Sequence, residues 1–258
     1  MRILITGTNG YIGKSLYNVL KDEHEVVGLT RDDFDLTAFQ AMNDFFQGKY
    51  FDVVIHCAVV GGSRLKQDSS YDMDVNLAMY YNLLQHKPYF NKLIHFGSGA
   101  ELYSKNTPYG LSKHVIRESI LGQDNFYNLR IFAVFDENEL DTRFIKANIK
   151  KYIEKKSLEL NNNKRMDFFY MEDLAILVKH YIFNDNLPKE INCCYNHLLY
   201  MLDIINIING LDSYKVDINF KNNDFSSNYI GDFIDLGLKY IGLEQGIRNV
   251  YNKLKNEY

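Results

Sequence analysis

Residues 2–13 read RILITGTNGYIG: an apolar run that stops at Gly7 and is followed by glycines at positions 10 and 13. Arg2 to Thr6 has no polar alternation, as expected of a strand covered on both faces. Gly7 ends that strand where the chain must turn sharply. Gly10 removes the Cβ that would keep a ligand from the main chain, and Gly13 allows a helix to pack close to the strand. The segment from Tyr11 to about position 21 then has helical spacing, and the amino end of that helix attracts anions. A strand, a glycine turn and a helix in that order predict a dinucleotide held by its pyrophosphate. A glycine-rich turn without a ligand is the alternative, and the clear strand and helix on either side weigh against it.

Working outward from this turn, short apolar runs alternate with amphipathic stretches through the first 135 residues. Strands are predicted at Arg2–Thr6, Glu25–Leu29, Asp52–Cys57, Lys92–Phe96 and Tyr127–Phe132, with helices at about 11–21, 36–47, 72–87 and 108–122. This alternation implies an α/β fold with a doubly wound parallel sheet. After Phe135 the pattern loosens, with a helix near 141–155 followed by mixed short elements. We expect a nucleotide-binding domain over 1–160, with later segments returning to it, and a small substrate-binding lobe over 161–258. Such a lobe would roof the carboxyl ends of the strands, where ligands sit in sheets of this kind.

Composition narrows the function classes. Apolar residues make up 46% of the chain and charged residues 24%, with a net charge of −4, so neither nucleic acid nor an anionic membrane is an expected partner. Cys57, Cys193 and Cys194 are odd in number and lack zinc spacing, which argues against a disulfide framework and fits a reducing cytoplasm. The opening apolar run is only a few residues long, so neither secretion nor membrane insertion is expected. Histidines 86, 95, 114, 180 and 197 are scattered without metal-ligand spacing, and no metal site is predicted. His56 reads as a buried, hydrogen-bonded imidazole of the third strand, Cys193 and Cys194 as core, and Phe168, Phe169 and Tyr170 as packing between lobe and sheet.

Two further stretches carry chemistry. The second strand ends GLTRDD, with no acid at Leu29 or Thr30 and Arg31 next. An acid there would hold the ribose hydroxyls of NAD, whereas a guanidinium suits the 2′-phosphate of NADP, so NADPH is expected over NADH. Asp32 and Asp33 are each placed to neutralise Arg31, which leaves an exposed loop arginine as the other reading. In FGSGAELYSKNTPYGLSK, residues 96–113, Thr107 and Pro108 open a helix that sets Tyr109 and Lys113 four positions apart on one face. A phenol of ordinary pKa near 10 becomes a usable proton donor when an ammonium lies beside it. Tyr109 is therefore the candidate proton donor to an oxygen that gains charge as hydride arrives, with Lys113 placed to hold the nicotinamide ribose as well. Ser98, after the fourth strand, is the candidate to polarise a carbonyl, and a small turn residue is its plainer reading.

With these pieces in order, the chain resembles an extended short-chain dehydrogenase/reductase of the nucleotide-sugar epimerase/dehydratase group, whose nucleotide-binding half has the Rossmann architecture. The resemblance rests on the glycine loop, Asn76, the serine segment, Tyr109 to Lys113, Leu129-Arg130, and the run Arg165 to Asp173. Thr30 to Leu36 and Phe51 to Gly62 are similar to the GDP-fucose-synthase-like 4-keto-sugar reductases. The resemblance implies a cofactor along Gly7, Thr8, Asn9, Gly10, Tyr11, Ile12 and Gly13, then Arg31, Asp35 and Leu36. It continues through Cys57, Ala58, Val59, Asn76, Tyr109, Lys113 and Phe132. Substrate contacts are implied at Ser98, Gly99 and Ala100, with Lys164 and Arg165 as diphosphate candidates beside a plain reading as surface charge. Ala100 and Asn138 stand where the epimerising members carry cysteine and histidine, which implies a reductase without an epimerase step. Gly99 stands where many relatives have Ser or Thr, so Ser98 is either the catalytic hydroxyl or its neighbour.

The implied activity is NADPH-dependent C4 reduction of a nucleoside-diphosphate 4-keto sugar, GDP-linked, in surface-polysaccharide synthesis. Tyr80 and Tyr81 fall on the helix that forms the homodimer contact in relatives. Two alternatives stand beside this reading. One is an epimerase or dehydratase with resident NAD, for which Glu101 and Glu137 are acid/base candidates. The other is a non-catalytic NADP-sensing protein.

Overall fold

The structure is a computed structural model that describes residues 1–63, 66–197, 199–221 and 227–256. Its backbone divides into two compact units, Met1–Ile131 with Leu177–Ile191, and Phe132–Ile176 with Asn192–Tyr258.

The first unit follows the predicted alternation. In chain order it has β1 (Arg2–Thr6), α1 (Tyr11–Leu20), β2 (Glu25–Leu29), α2 (Phe39–Phe46), β3 (Phe51–His56) and α3 (Ser70–Gln85). It continues with β4 (Phe90–Ser98), α4 (Ala100–Tyr103), α5 (Pro108–Leu121) and β5 (Phe126–Ile131). The remaining elements are β6 (Val134–Phe135), α6 (Phe144–Ile153), β7 (Leu158–Leu160), β8 (Phe169–Tyr170), α7 (Met171–Phe183), β9 (Glu190–Cys193), α8 (Met201–Ile208), β10 (Ile218–Phe220) and α9 (Leu243–Lys255). The main sheet runs β2-β1-β3-β4-β5-β9, and the pairings from β2 through β5 are all parallel. Strand order reverses at β1, so the crevice between the carboxyl ends of β1 and β3 is where a sheet of this topology takes a ligand.

Register explains the core. Leu4, Val54, Leu93 and Phe126 are successive partners across β1, β3, β4 and β5. They form an apolar row packed with Met79 and Leu83 of α3 and Ile116 and Ile120 of α5. Each fully buried aliphatic side chain in such a row contributes about 1.5–3 kcal/mol. Helix α2 starts at Phe39 rather than 36, because the Asp35 carboxylate accepts from the Thr37 N–H and hydroxyl, both at 2.9 Å, and keeps that turn out of the helix.

The return of the chain to the first unit is held by charge. The Lys92 ammonium, 2% exposed, donates to the carbonyls of Tyr181 (2.8 Å), Ile182 (3.2 Å) and Asn184 (2.7 Å), capping the carboxyl end of α7 with the cation that a helix dipole favours there. The first stretch of the first unit ends at Ile131 rather than at 160, because Phe132–Ile176 group with the second unit before the chain returns at Leu177–Ile191. Within that unit Phe168 and Phe169 meet Phe144, Tyr195 and Tyr240, and Tyr170 meets Phe135, so these rings build the second unit's own core. Cys193 ends β9 and Cys194 follows it, both buried. No helix among the described residues is long and apolar enough to cross a membrane.

Candidate active site

The glycine turn is made as its sequence requires. Gly7 has φ +74°, and its N–H and that of Thr8 donate to the Leu29 carbonyl (2.8 and 3.1 Å), tying the turn to the end of β2. A Cβ at Gly13 would lie 2.3 Å from the Gly7 carbonyl oxygen, so only glycine lets α1 start this close to the turn. Gly10 caps α1 without a side-chain bond, whereas Thr107 caps α5 with its hydroxyl (3.1 Å from the Gly110 nitrogen). The first N–H groups of α1 thus face a cleft of about 340 Å³, lined by Gly7, Asn9 to Gly13, Leu29 to Arg31, Phe34 to Leu36, Cys57 to Val59, and Met79. Bare glycines, uncapped amides and an arginine fit a phosphorylated dinucleotide.

Several residues that the resemblance assigned to the cofactor act one step back. The Thr8 hydroxyl bonds the Leu29 carbonyl (3.3 Å). Asn76, buried, clamps the Val60 backbone by accepting from its N–H and donating to its carbonyl, both at 2.9 Å, which shapes the loop after β3. Phe132 belongs to the second unit. Leu29, Thr30, Phe34 and Met79 line the cleft without having been singled out; the lone apolar Phe34 inside the polar run RDDFD was the available signal.

Of the aspartates near Arg31, Asp33 and Asp35 have other partners. Asp33 accepts from the Thr30 N–H and hydroxyl, both at 2.8 Å, and these bonds hold its carboxyl below the usual range. Asp35 is held down by the Thr37 bonds, with a smaller contribution from the Arg31 charge. Among the described residues no carboxylate lies within ion-pair distance of Arg31.

On the other side of the crevice, Pro108 occupies the first turn of α5 and Thr107 caps it, as the sequence predicts. Lys113 lies one turn beyond Tyr109 with its ammonium 5.9 Å from the phenol ring centre. It is 4% exposed and donates to the Phe96 carbonyl (2.7 Å). Burial pushes its pKa down to about 8, opposed by the Glu101 carboxylate and Cys57. The loop after β3 passes directly over the tyrosine: Gly62 has φ +70°, and a Cβ there would come within 2.7 Å of Tyr109 Cζ. Ser98 ends β4, half-buried, and its hydroxyl accepts from the Ala100 N–H (3.2 Å), which leaves its own proton free to donate elsewhere. Gly99 caps α4 in helical geometry.

Glu101 is not an acid/base candidate. It is fully buried, and its carboxylate accepts from Arg130 Nε (2.5 Å), Asn128 Nδ2 (2.9 Å) and the Ser98 N–H (3.2 Å). Arg130 in turn pairs with Glu190 (2.6 Å), which also holds Arg117 (2.6 Å). A carboxylate locked in such a chain is a structural anion. Glu137 pairs with Lys253 (3.0 Å) in the second unit. The Arg165 guanidinium lies 4.9 Å from the Tyr200 ring centre and the Lys164 ammonium 6.0 Å from that of Tyr229. Of the run they begin, Asp173 is fully buried and anchors Tyr195 and the Ile241 and Gly242 N–H groups. A second cleft of about 440 Å³, lined by His197, Leu199, Ile207, Ile241 to Gln245 and Arg248, was not foreseen. Tyr80 is buried, donating to the Ser119 hydroxyl (3.0 Å), so it is core rather than an interface residue; Tyr81 remains exposed.

The NAD dependent epimerase/dehydratase family profile matches residues 3–194, which span the glycine turn, the tyrosine helix and the buried run after β8. The chain belongs to this family. It is accordingly an NAD(P)-dependent enzyme of the short-chain dehydrogenase/reductase type. Among solved structures it is similar to a UDP-glucose 4-epimerase from Thermotoga maritima with UDP-glucose (TM-score 0.81, 16% identity, covering 100% of this chain and 99% of that one). It is likewise similar to a GDP-mannoheptose C4 reductase from Campylobacter jejuni with NADP bound (0.78, 20%, 98% and 98%). A GDP-L-fucose synthetase from Naegleria fowleri bound to NADP is a third (0.74, 18%, 99% and 93%). At these identities the likeness is one of fold. No curated protein sequence matches the chain.

Proposed function

We propose that this family member is an NADPH-dependent reductase acting at carbon 4 of a nucleoside-diphosphate 4-keto sugar, GDP-linked by preference. The observation that carries the reading is an Arg31 that lines the cleft of the glycine turn with no carboxylate at ion-pair distance among the described residues, together with a Tyr109–Lys113 pair whose nearby Glu101 is held by Arg130. Bound NADPH would supply the hydride. Tyr109 gives its phenolic proton to the carbonyl oxygen, and the Lys113 ammonium favours the phenolate left behind. Ser98 orients the carbonyl with the proton its hydroxyl has free. The arginine offers a 2′-phosphate two parallel N–H bonds. Lys164 and Arg165 are proposed to meet the substrate diphosphate, the second unit to hold the nucleotide sugar, and the working protein to be a homodimer in the cytoplasm.

Epimerisation or dehydration with a resident cofactor needs a further acid/base near the substrate carbon. Ala100 offers none, and Glu101 is committed to Arg130. The test is NADPH oxidation followed at 340 nm against GDP-, dTDP-, UDP- and CDP-linked 4-keto sugars. One NADPH consumed per sugar reduced is expected; conversion of a sugar without net NADPH loss would replace the reductase by the epimerase reading.

A further inference from the structure

One pleat above the apolar row, the same four strands carry a polar one. Thr6, His56, His95 and Asn128 are successive register partners across β1, β3, β4 and β5. Each lies two residues beyond Leu4, Val54, Leu93 or Phe126, so side-chain alternation puts both rows on the face covered by α3 and α5. All four are buried, His56 at 2% exposure and His95 at 1%. Helix α5 delivers a single cation to this level. The Lys113 ammonium, 2.7 Å from the Phe96 carbonyl, is also 3.4 Å from His95 Nε2.

An imidazole nitrogen facing an ammonium must offer its lone pair, because Lys has donors and no acceptor. Burial keeps both rings neutral: His56 is pushed down to about 3, and His95 well below its ordinary value, with the Lys113 charge adding to both. The single ring proton of His95 therefore sits on Nδ1. That atom has no hydrogen-bond partner among the described residues, and neither has Oδ1 of its register partner Asn128. His56 Nδ1 instead meets the Thr6 hydroxyl (2.8 Å), whose oxygen also accepts from the Ala58 N–H (3.3 Å).

We propose that His95 is a positioning residue for the reaction: as a neutral Nδ1–H imidazole it accepts a hydrogen bond from Lys113 and, with the Phe96 carbonyl, fixes the ammonium beside Tyr109. The proposal rests on the catalytic reading of Tyr109 and Lys113 given above. A carboxylate at position 95 would bind the ammonium in an ion pair and compete with the phenolate for it, while an apolar residue would leave it one acceptor. A neutral acceptor keeps the ammonium charged and still available to its helix neighbour. The groups facing Lys113 are Tyr109 on α5, Glu101 on α4, Cys57 after β3, His56 on β3 and His95 on β4. Glu101 alone among them is an anion, and Arg130 holds it.

Long-range proton–nitrogen NMR of the ¹⁵N-labelled full chain with NADP bound reads the histidine tautomers directly. Expected is Nδ1–H at His95, with Lys113→Met releasing His95 to a mixture; an Nε2–H tautomer at His95 in the unaltered protein overturns the proposal. In the pH–rate profile of NADPH oxidation, His95→Leu should move the basic limb down by about one pH unit and lower kcat about tenfold with KM little changed. His95→Gln, which keeps an acceptor, should restore the limb. An unshifted limb in His95→Leu also overturns the proposal. Should the unaltered protein turn over no 4-keto sugar, the reductase reading falls, and the tautomers still decide the role of His95.

Discussion

The cofactor side and the chemical side of the crevice are built from different materials. Around Gly7 to Gly13 the protein presents backbone: a left-handed glycine and a helix start without a side-chain cap, with Arg31 and Asp35 in the cleft lining. Along β4, α4, α5 and β5 it presents buried side chains, Lys113, His95, Glu101 and Arg130, each at most 5% exposed and each held by another. Backbone recognition tolerates change in the side chains around it and fails only where a Cβ intrudes. A buried charged network behaves in the opposite way, because removing one member strands the rest without water or partner.

The largest effect expected of this division is on turnover. Tyr109→Phe should lower the rate of NADPH oxidation by at least about 10³-fold and change the NADPH dissociation constant by less than about threefold. A parallel loss of binding in fluorescence titration would show that the two sides are one unit. Next comes stability. Glu101→Gln leaves Arg130 buried with Glu190 as its remaining anion and should cost about 3–5 kcal/mol in urea unfolding, although the residue contributes no acid to the reaction. An unchanged unfolding midpoint would remove the network from the account.

Smaller still, Arg31→Ala should weaken NADPH by about 10-fold to 50-fold and leave NADH within about twofold, the outcome expected of the proposed contact between its guanidinium and a 2′-phosphate. Equal losses for both cofactors would assign Arg31 a general electrostatic role. The mildest effect is on pH. His56 and His95 are held neutral in the folded chain, so the unfolded chain takes up protons below pH 6.5 that the folded one refuses. Their contribution is intact above 6.5 and is lost as pH falls, at up to about 1.4 kcal/mol per histidine per pH unit. Glu139, pushed up to about 8 by burial, opposes this by favouring the fold at low pH. The comparison is therefore between the unaltered chain and His95→Gln, whose Tm should fall less steeply from pH 6.5 to 5.5.

Legibility followed the same division. Gly7, Gly10 and Gly13, the Thr107 cap, and Tyr109 with Lys113 depend on neighbours within about one or two helical turns, and spacing alone revealed them. Arg31 was visible, but the commitment of Asp33 to another partner was not, because that depends on which way a short aspartate turns; Thr30 decided it. Glu101 invited an acid/base role, since nothing in AELYS announces an arginine arriving 29 residues later from β5.

By itself the sequence determined the alternation of strands and helices, the glycine turn and the tyrosine–lysine pair, since each is encoded in a local period of two, three or four residues. Only the tertiary structure decided that Thr6, His56, His95 and Asn128 stand in one line under Lys113, that Glu101 is an anchor, and that the chain returns at 177–191 to complete the first unit. The reason is that register between strands far apart in the chain is set by which rows fill the space beneath α3 and α5, and packing of that kind leaves no fixed spacing to read.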